Sequence, residues 1–255
     1  TEREKAGAPD KGFVGHKAAK IMKRATTIQA RAEAKVADKQ RLLKNIEIEA
    51  ELQLNYNPPR LPVNASLLTV DQLVVSRGKG PLNQPISFTL KAGERIVLQG
   101  PNGAGKSTLI AAILGSPELR TTGSVNLRNG LKVSYLPQAF DALSGDLASF
   151  AQAKGVELQD LLATLRKLGF EREMFTQRIE QMSMGQKRKV ALARALCEPA
   201  HLYIWDEPLN YLDVITREQI QQLILRVRPP MLLIDHDQEF VRQVNTKLLE
   251  VKTRF

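Results

Sequence analysis

Residues 100–107, GPNGAGKS, constrain the fold more than any other part of the sequence. They follow the apolar run IVLQ and precede KSTLIAAILG, which has the composition of a helix. In such a strand–loop–helix context, glycines let backbone N–H groups and a helix N-terminus face a phosphate. Lys106 is expected to reach the β and γ phosphates of a nucleotide, and Ser107 to offer its hydroxyl to Mg²⁺. The predicted nucleotide-contacting loop residues are Gly100, Pro101, Asn102, Gly103, Ala104, Gly105, Lys106, Ser107 and Thr108.

After residue 66, short β-branched runs alternate with stretches of helical composition. This alternation predicts an α/β domain with a largely parallel central sheet. The predicted strands are LLTVDQLVV, PISFTL, ERIVLQ, LKVSYL, LYIWD and MLLID.

The segment before the α/β domain has a different character. Residues 14–54 lack proline and carry an apolar stripe at helical spacing, which predicts a long amphipathic helix. Residues 11–31 contain six basic residues and no acidic one. The prolines of NYNPPRLP end the helix, so residues 1–57 are predicted to form an arm and residues 58–255 a domain. From its residues alone, the arm could be a solvated coiled coil or could bind RNA.

Charge and cysteine content narrow the class of protein. The chain has 37 Lys and Arg against 27 Asp and Glu, a net charge of +10 that favours a polyanionic partner such as nucleic acid. The single cysteine, Cys197, excludes an internal disulfide framework, fits a reducing cytosol and is predicted to lie in the core. The sequence has no apolar run of 18 residues, so the chain is not expected to span a membrane by itself. We expect no membrane among its partners. Because it starts at Thr1 within a charged stretch, we expect a fragment of a longer protein.

Candidate catalytic residues follow three predicted strands. LYIWD ends in Asp206, which suits a Mg²⁺ contact through water, and the next residue, Glu207, could polarise an attacking water. His236 follows MLLID and could contact a γ-phosphate, and Gln138 follows SYLP and could bridge the metal and the water. The alternative interpretations are a solvent-facing strand end for the two acids and a structural role for His236.

These motifs occur in the order and spacing of an ATP-binding cassette (ABC) domain. MSMGQ, residues 182–186, resembles the ABC signature, whose usual form is Leu-Ser-Gly-Gly-Gln, with Met184 replacing its first glycine. The resemblance implies that Ser183 and Gly185 touch the γ-phosphate held by a facing cassette, and it adds Gln186 and Asp213 as nucleotide-site residues. It also implies a mixed, largely parallel sheet with antiparallel strands, and a helical subdomain at about residues 139–182.

Another position departs from the cassette pattern. Cassettes have an aromatic residue that stacks on adenine upstream of the phosphate loop, and alignment with that pattern places Arg77 there. A guanidinium plane can also stack on a base. The alternative is that Arg77 is an ordinary surface residue.

The segments RIEQMSMGQKRKV, LYIWDEPLNYLDV and KAAKIMKRA resemble the C-terminal half of the Lsa-type antibiotic-resistance proteins of the ABC-F group. The resemblance implies a cytoplasmic ATPase that binds the bacterial ribosome at the exit site. There its arm dislodges lincosamides, streptogramins A or pleuromutilins from the peptidyl-transferase centre. Two alternatives stay open, a housekeeping ABC-F translation factor and the nucleotide-binding subunit of an ABC transporter.

The sequence has one phosphate loop and one signature, whereas two composite ATP sites need two of each. We therefore expect the chain to require the missing N-terminal cassette of the same polypeptide. A homodimer could imitate that half. The isolated chain is predicted to bind ATP weakly and to hydrolyse it slowly.

Overall fold

A computed structural model of the chain describes residues 51–58, 60–62, 65–78, 80–140 and 143–254. All of these residues except the first belong to a compact unit that begins at Leu52. The predicted arm helix lies outside the described residues up to position 50, so the arm and the predicted division at residue 57 stay predictions. Its predicted last residues, 51–54, are not helical, because the chain there bonds to the cassette, with Leu52 O accepting from Arg226.

The described chain alternates strands and helices, as the sequence predicts for an α/β domain. The strands are β1 (Ser66–Ser76), β2 (Ile86–Lys91), β3 (Arg95–Gln99), β4 (Arg120–Leu127), β5 (Val133–Leu136), β6 (Leu202–Asp206), β7 (Met231–Ile234) and β8 (Lys247–Glu250). The α-helices are α1 (Lys106–Ile113), α2 (Leu147–Lys154), α3 (Leu158–Lys167), α4 (Met184–Cys197), α5 (Val214–Val227) and α6 (Gln238–Val244). Two short 3₁₀ helices span Arg172–Thr176 and Ile179–Gln181.

The central sheet is parallel and has the strand order β5-β6-β7-β3-β8. Its middle strands, β6, β7 and most of β3, are buried. Burial on both faces explains why these strands read as continuous apolar runs. The predicted largely parallel sheet is confirmed, and the carboxyl ends of β6 and β7 lie side by side because Asp206 is in register with Ile234.

A second sheet is antiparallel, with the order β2-β1-β4. It confirms the antiparallel strands that the resemblance implied. Most residues of β4, RTTGSVNL, are exposed, so this strand lacks the apolar alternation that identifies a strand in sequence.

The core has two parts. One lies beneath α1 and between the two sheets and includes Leu68, Ile96 and Leu109. The other joins the parallel sheet to α4, α5 and the short helices between residues 147 and 181, and Trp205 is fully buried in it. Those short helices lie within the predicted helical subdomain, whose limits stay a prediction.

Residues 52–57 pack along the C-terminal end of α4. Leu52 is buried in the core, and the backbone N–H of Asn55 donates to Leu196 O at 2.8 Å. The Asn55 side chain donates to the carbonyl of Cys197 at 2.9 Å. Cys197, predicted as a core residue, is only partly buried because it lies in the last turn of this helix, where its thiol is 3.2 Å from Thr164 Oγ1.

Within the described part of the chain, every helix is too short or too polar to cross a membrane.

Candidate functional site

The loop at residues 100–107 joins β3 to α1 and has a backbone that requires glycine. Gly100 has a φ of 149°, and a Cβ there would lie 2.4 Å from the carbonyl oxygen of Val251. Gly105 has a φ of 82° and is the N-cap residue of α1. Without side chains at these positions, the loop can curl over the start of the helix and direct its N–H groups at a bound anion.

Lys106 lies within this loop rather than on the surface. Its side chain is 7% exposed, and Nζ donates to the carbonyls of Gly100 at 2.9 Å and Pro101 at 3.1 Å. The loop therefore holds a positive charge beside its own N–H groups, which is the arrangement that binds a polyphosphate.

Most of the predicted phosphate-loop residues and the three predicted catalytic residues line one cavity of about 610 Å³. Gly100 and Pro101 line an adjoining cavity that shares Lys106 and His236, and Ala104 is buried in the core. Arg77 is exposed and reaches the first cavity, so adenine stacking by this residue stays a prediction. The lining residues of the first cavity are Arg77, Leu82, Asn102, Gly103, Gly105, Lys106, Ser107, Thr108, Gln138, Glu207 and His236.

Glu207 is held in place by several contacts. Its backbone has a φ of 51°, a left-handed conformation that is costly for a residue with a side chain, and its N–H donates to Ile234 O at 2.8 Å. Its carboxylate contacts His236 Nε2 at 3.2 Å and accepts a hydrogen bond from the side chain of Asn210. The side chain is thus aimed into the phosphate-loop cavity, where a carboxylate can orient and polarise a water.

Asp206 fits a role in holding Mg²⁺. Burial raises the pKa of its carboxyl group, and the neighbouring Ser107 hydroxyl offsets part of this rise. Neither carboxylate oxygen accepts a hydrogen bond of regular geometry, although both are buried. A hard cation would satisfy these oxygens, and Mg²⁺ is commonly held by one or two protein carboxylates together with substrate phosphates. The described residues contain no cluster of three or more His, Cys, Asp or Glu side chains suited to a metal.

The signature-like residues line a different cavity, of about 290 Å³. Ser183 is the N-cap residue of α4, and its hydroxyl accepts from the backbone N–H of Gln186 at 3.3 Å. The Gln186 side chain accepts from the Ser183 N–H at 2.8 Å, which completes a capping box. Accepting this bond leaves the Ser183 hydroxyl proton available to an anion at the helix N-terminus.

Gly185 and Asp213 fix the backbone around this second cavity. A Cβ on Gly185 would lie 3.0 Å from the carbonyl oxygen of Tyr211. Asp213 caps α5 through the N–H of Thr216 at 2.9 Å and forms a 2.8 Å ion pair with Lys189. The structure therefore shows a structural role for Asp213, and its predicted contact with a nucleotide stays a prediction.

Sequence reasoning missed Asn210, Asp235 and Arg188. Asn210 lies three residues after Glu207, within LNYLD, and Asp235 is a buried carboxylate next to His236. Arg188 is completely buried, although the charge density of MSMGQKRKV suggests a solvated helix face. Helical spacing was the available signal, because positions 188, 192 and 195 fall on one stripe with two apolar residues.

The family model described as ABC transporter matches residues 83–210, which contain the phosphate loop, Gln138, Ser183 and Glu207. A solved structure described as the ATP-binding subunit of an ABC transporter superposes with a TM-score of 0.58 at 26% identity, covering 73% of this chain and 86% of that one.

Curated relatives fall into two groups. The chain is 30% identical over 240 residues to the ribosome protection protein VmlR of Bacillus subtilis, covering 86% of this chain and 43% of the relative. It is 29% identical over 196 residues to ABC transporter F family member 2 of Arabidopsis thaliana, covering 73% and 28%. It is also 31% identical over 195 residues to the zinc import ATP-binding protein ZnuC of Yersinia enterocolitica, covering 72% and 76%.

The chain thus spans less than half the length of VmlR and of the F family member. The matched family model covers the phosphate loop and the strand-end acids, and the solved cassette shares the fold that brings them together. The chain therefore belongs to the ABC transporter family of ATP-binding cassette proteins.

Proposed function

We propose that this chain is the ATP-binding and ATP-hydrolysing cassette half of an ABC-F protein that acts on the bacterial ribosome. In its ATP-bound form the whole protein would occupy the ribosomal exit site. The arm would then dislodge lincosamide, streptogramin A or pleuromutilin antibiotics from the peptidyl-transferase centre. Hydrolysis of ATP would release the protein.

The observation that carries this proposal is the extent of the match to VmlR. The compact unit Leu52–Phe255 accounts for 204 of the 255 residues, or 80% of the chain. The VmlR match covers 86%, so the likeness includes part of the segment before Leu52. The ZnuC match, at 72%, requires nothing outside the cassette. A likeness to a ribosome protection protein that continues beyond the cassette favours an ABC-F protein over a transporter subunit.

The separation of the two cavities supports the need for a second cassette. The phosphate loop and Glu207 line one cavity, and Ser183 and Gly185 line another. An anion held by the loop would therefore meet the Ser183 helix N-terminus of a facing cassette, not that of the same chain. The N-terminal cassette of the same polypeptide would supply that partner, and the 43% coverage of VmlR is consistent with a half. Alone, the chain would hydrolyse ATP slowly, and a homodimer could restore part of the rate.

Residues in and next to the first cavity would each take a separate part of the reaction. Lys106 and the loop N–H groups would bind the phosphates. Glu207 would orient the attacking water, with His236 beside its carboxylate and the γ-phosphate. Asp206, Ser107 and Gln138 would hold Mg²⁺, which neutralises charge that develops on the phosphates.

The charge distribution is consistent with an RNA partner. The net charge is +10, and the arm contributes a run of six basic residues without an acid at positions 11–31. Such a segment binds phosphates with a strong dependence on salt. A ribosomal partner also implies a cytoplasmic location.

The test is cosedimentation of the full-length Glu207→Gln protein with bacterial ribosomes, with and without ATP, at moderate salt. We expect pelleting that requires ATP, because the variant keeps the phosphate cradle but hydrolyses slowly. Lys106→Ala, which weakens the cradle, is the matched control and should remain in the supernatant. Absence of pelleting by a Glu207→Gln protein that binds ATP would contradict the ribosomal proposal.

A second set of measurements distinguishes a ribosome protection protein from a housekeeping translation factor and from a transporter subunit. Rescue of in vitro translation from a lincosamide, a streptogramin A or a pleuromutilin would support ribosome protection. Ribosome binding without rescue would favour a housekeeping translation factor. Copurification of the protein with a membrane partner, without ribosomes, would favour a transporter subunit.

A further inference from the structure

Arg188 is a buried cation at the centre of the cassette. It lies in α4, five residues after the N-cap residue Ser183, and its side chain is fully buried. Charged side chains are almost never buried without partners, because removing a charge from water is costly. The contacts of Arg188 therefore require an explanation.

The guanidinium group donates to backbone carbonyls from two loops. Nη1 donates to Pro137 O at 2.7 Å, and Nη2 donates to Asp206 O at 3.0 Å and also to Glu207 O. A longer contact of 3.4 Å joins Nε to Pro208 O. Pro137 immediately precedes Gln138, so one side chain ties the backbone of the predicted water-bridging residue to that of Glu207.

The groups around Arg188 stabilise its positive charge and fix the orientation of its guanidinium plane. Burial lowers its pKa to about 10, partly offset by the carboxylates of Asp206, Glu207 and Asp235, so the group is cationic at neutral pH. The Phe140 ring centroid lies 5.4 Å from the guanidinium carbon. An aromatic face against a guanidinium group restrains its orientation.

Phe140 also connects this plane to the signature-like cavity. Its ring packs edge-on against Tyr211, with centroids 5.9 Å apart. Tyr211 has a φ of 64°, and its carbonyl oxygen covers Gly185. Arg188 therefore lies in a continuous set of contacts that runs from the wall of the second cavity to the backbone of Glu207.

We propose that Arg188 is a positioning residue for ATP hydrolysis, which sets the backbone of Glu207 and Gln138 through the carbonyls of Pro137, Asp206 and Glu207. The inference rests on the proposed ATPase reaction and on the role of Glu207 in it. Lysine at position 188 would keep the charge, but its single ammonium group cannot span carbonyls from two loops as the guanidinium fork does. Arg188 makes no hydrogen bond to the phosphate loop, so nucleotide binding should be largely independent of it.

The test compares Arg188→Lys with Arg194→Lys in the full-length protein. Arg194 is a matched control because it lies in the same helix and donates to a β5 carbonyl, Tyr135 O, and to Glu198. We expect Arg188→Lys to lower kcat by about 10-fold to 100-fold, as small misplacements of catalytic groups do, and to change KM by less than about threefold. Arg194→Lys should leave both parameters within about twofold of wild type. Unchanged kcat in folded Arg188→Lys, or equal losses in the two variants, would overturn the inference.

A double-mutant cycle distinguishes positioning from a general loss of structure. If Arg188 acts through Glu207, adding Arg188→Lys to Glu207→Gln should lower the residual turnover by less than about twofold. Full multiplication of the two effects would contradict the inference. If Glu207→Gln alone leaves turnover unchanged, the proposed role of Glu207 fails instead, which separates the two failures.

Phe140→Leu provides a second variant in case Arg188→Lys does not fold. It keeps an apolar side chain and every hydrogen bond of Arg188 but removes the ring that restrains the guanidinium plane. We expect kcat to fall about threefold to 10-fold with KM retained. Unchanged kcat in Phe140→Leu, together with an unfolded Arg188→Lys protein, would reduce Arg188 to a structural residue.

Discussion

Nε2 of His236 lies 3.2 Å from Oε1 of Glu207, although the two residues are 29 positions apart. They meet because β6 and β7 are neighbouring parallel strands, and each residue lies just after the end of one of them: Glu207 after β6 and His236 after β7. The carboxyl ends of adjacent parallel strands are where open α/β sheets place their ligands. This contact therefore indicates the edge of the sheet at which a ligand would bind.

Glu207→Gln should abolish most hydrolysis while it preserves nucleotide binding. The amide cannot polarise water as the carboxylate does, whereas the phosphate loop is unaltered. We expect turnover of the full-length protein to fall about 100-fold or more, with ATP affinity within a few-fold of wild type. Steady-state phosphate release and equilibrium binding of a fluorescent ATP analogue would measure the two effects. Glu218→Gln, at an exposed position of α5 outside the cavities, should change neither. A loss of turnover there equal to that of Glu207→Gln would show that the effect is not specific to Glu207.

Gly100→Ala should destabilise the protein more than Gly115→Ala does. Both positions have positive φ, which costs about 1–2 kcal/mol for alanine. At Gly100 the added Cβ would also meet Val251 O at 2.4 Å, whereas at Gly115 it would meet open space. We expect the free energy of unfolding of Gly100→Ala to be lower by roughly a further 1 kcal/mol or more. Urea denaturation would measure the free energy of unfolding of the two variants. Equal denaturation midpoints would contradict the close approach of Gly100 to Val251.

Ser183→Ala should lower both stability and ATP turnover. Ser183 caps α4, and loss of a cap costs about 1 kcal/mol. Asp146 caps α2 in the same way, through Ser149 N, and is the matched control. Asp146→Ala should lose similar stability but keep the ATPase rate of the full-length protein. If both variants lose turnover equally, Ser183 acts only as a helix cap.

Cys197 should react slowly with iodoacetamide in the folded protein. Burial raises the pKa of its thiol, so the reactive thiolate is scarcer than in an unfolded chain at the same pH. We expect the native rate at pH 8 to fall well below the rate in urea, and to keep rising at pH values where the unfolded chain has levelled off. Because the sequence has one cysteine, mass spectrometry of total alkylation reports on this site alone. Equal native and unfolded rates would show that the thiol is not shielded.

The sequence predicted those parts of the fold and site whose signals are local. The loop at residues 100–107 and the apolar strands were identified because glycine spacing and apolar runs are written into consecutive residues. β8 and β4 were missed since the former is four residues long and both are mostly exposed. A short polar strand pairs because of its neighbours, not because of its own composition.

Arg188 shows more clearly what the local sequence cannot predict. A lysine- and arginine-rich helix start normally indicates a solvated face, and local sequence contains nothing that distinguishes Arg188 from the lysines beside it except its helical stripe. Its burial depends on carbonyls at Pro137, Asp206 and Glu207, which converge only after β5 and β6 have paired. Likewise, the strand-end acids were predicted individually, but the division of the site into two cavities follows from the three-dimensional fold.

Helix α4 is held at both of its ends. Its first residues carry the Ser183 cap that would meet a phosphate, and its last carbonyls, at Leu196 and Cys197, accept hydrogen bonds from Asn55. Fourteen helical residues make a stiff rod about 21 Å long. A shift of Ser183 along the rod axis would therefore move the carbonyls that hold Asn55 by the same distance, so residues 52–57 would follow the N-terminus of α4.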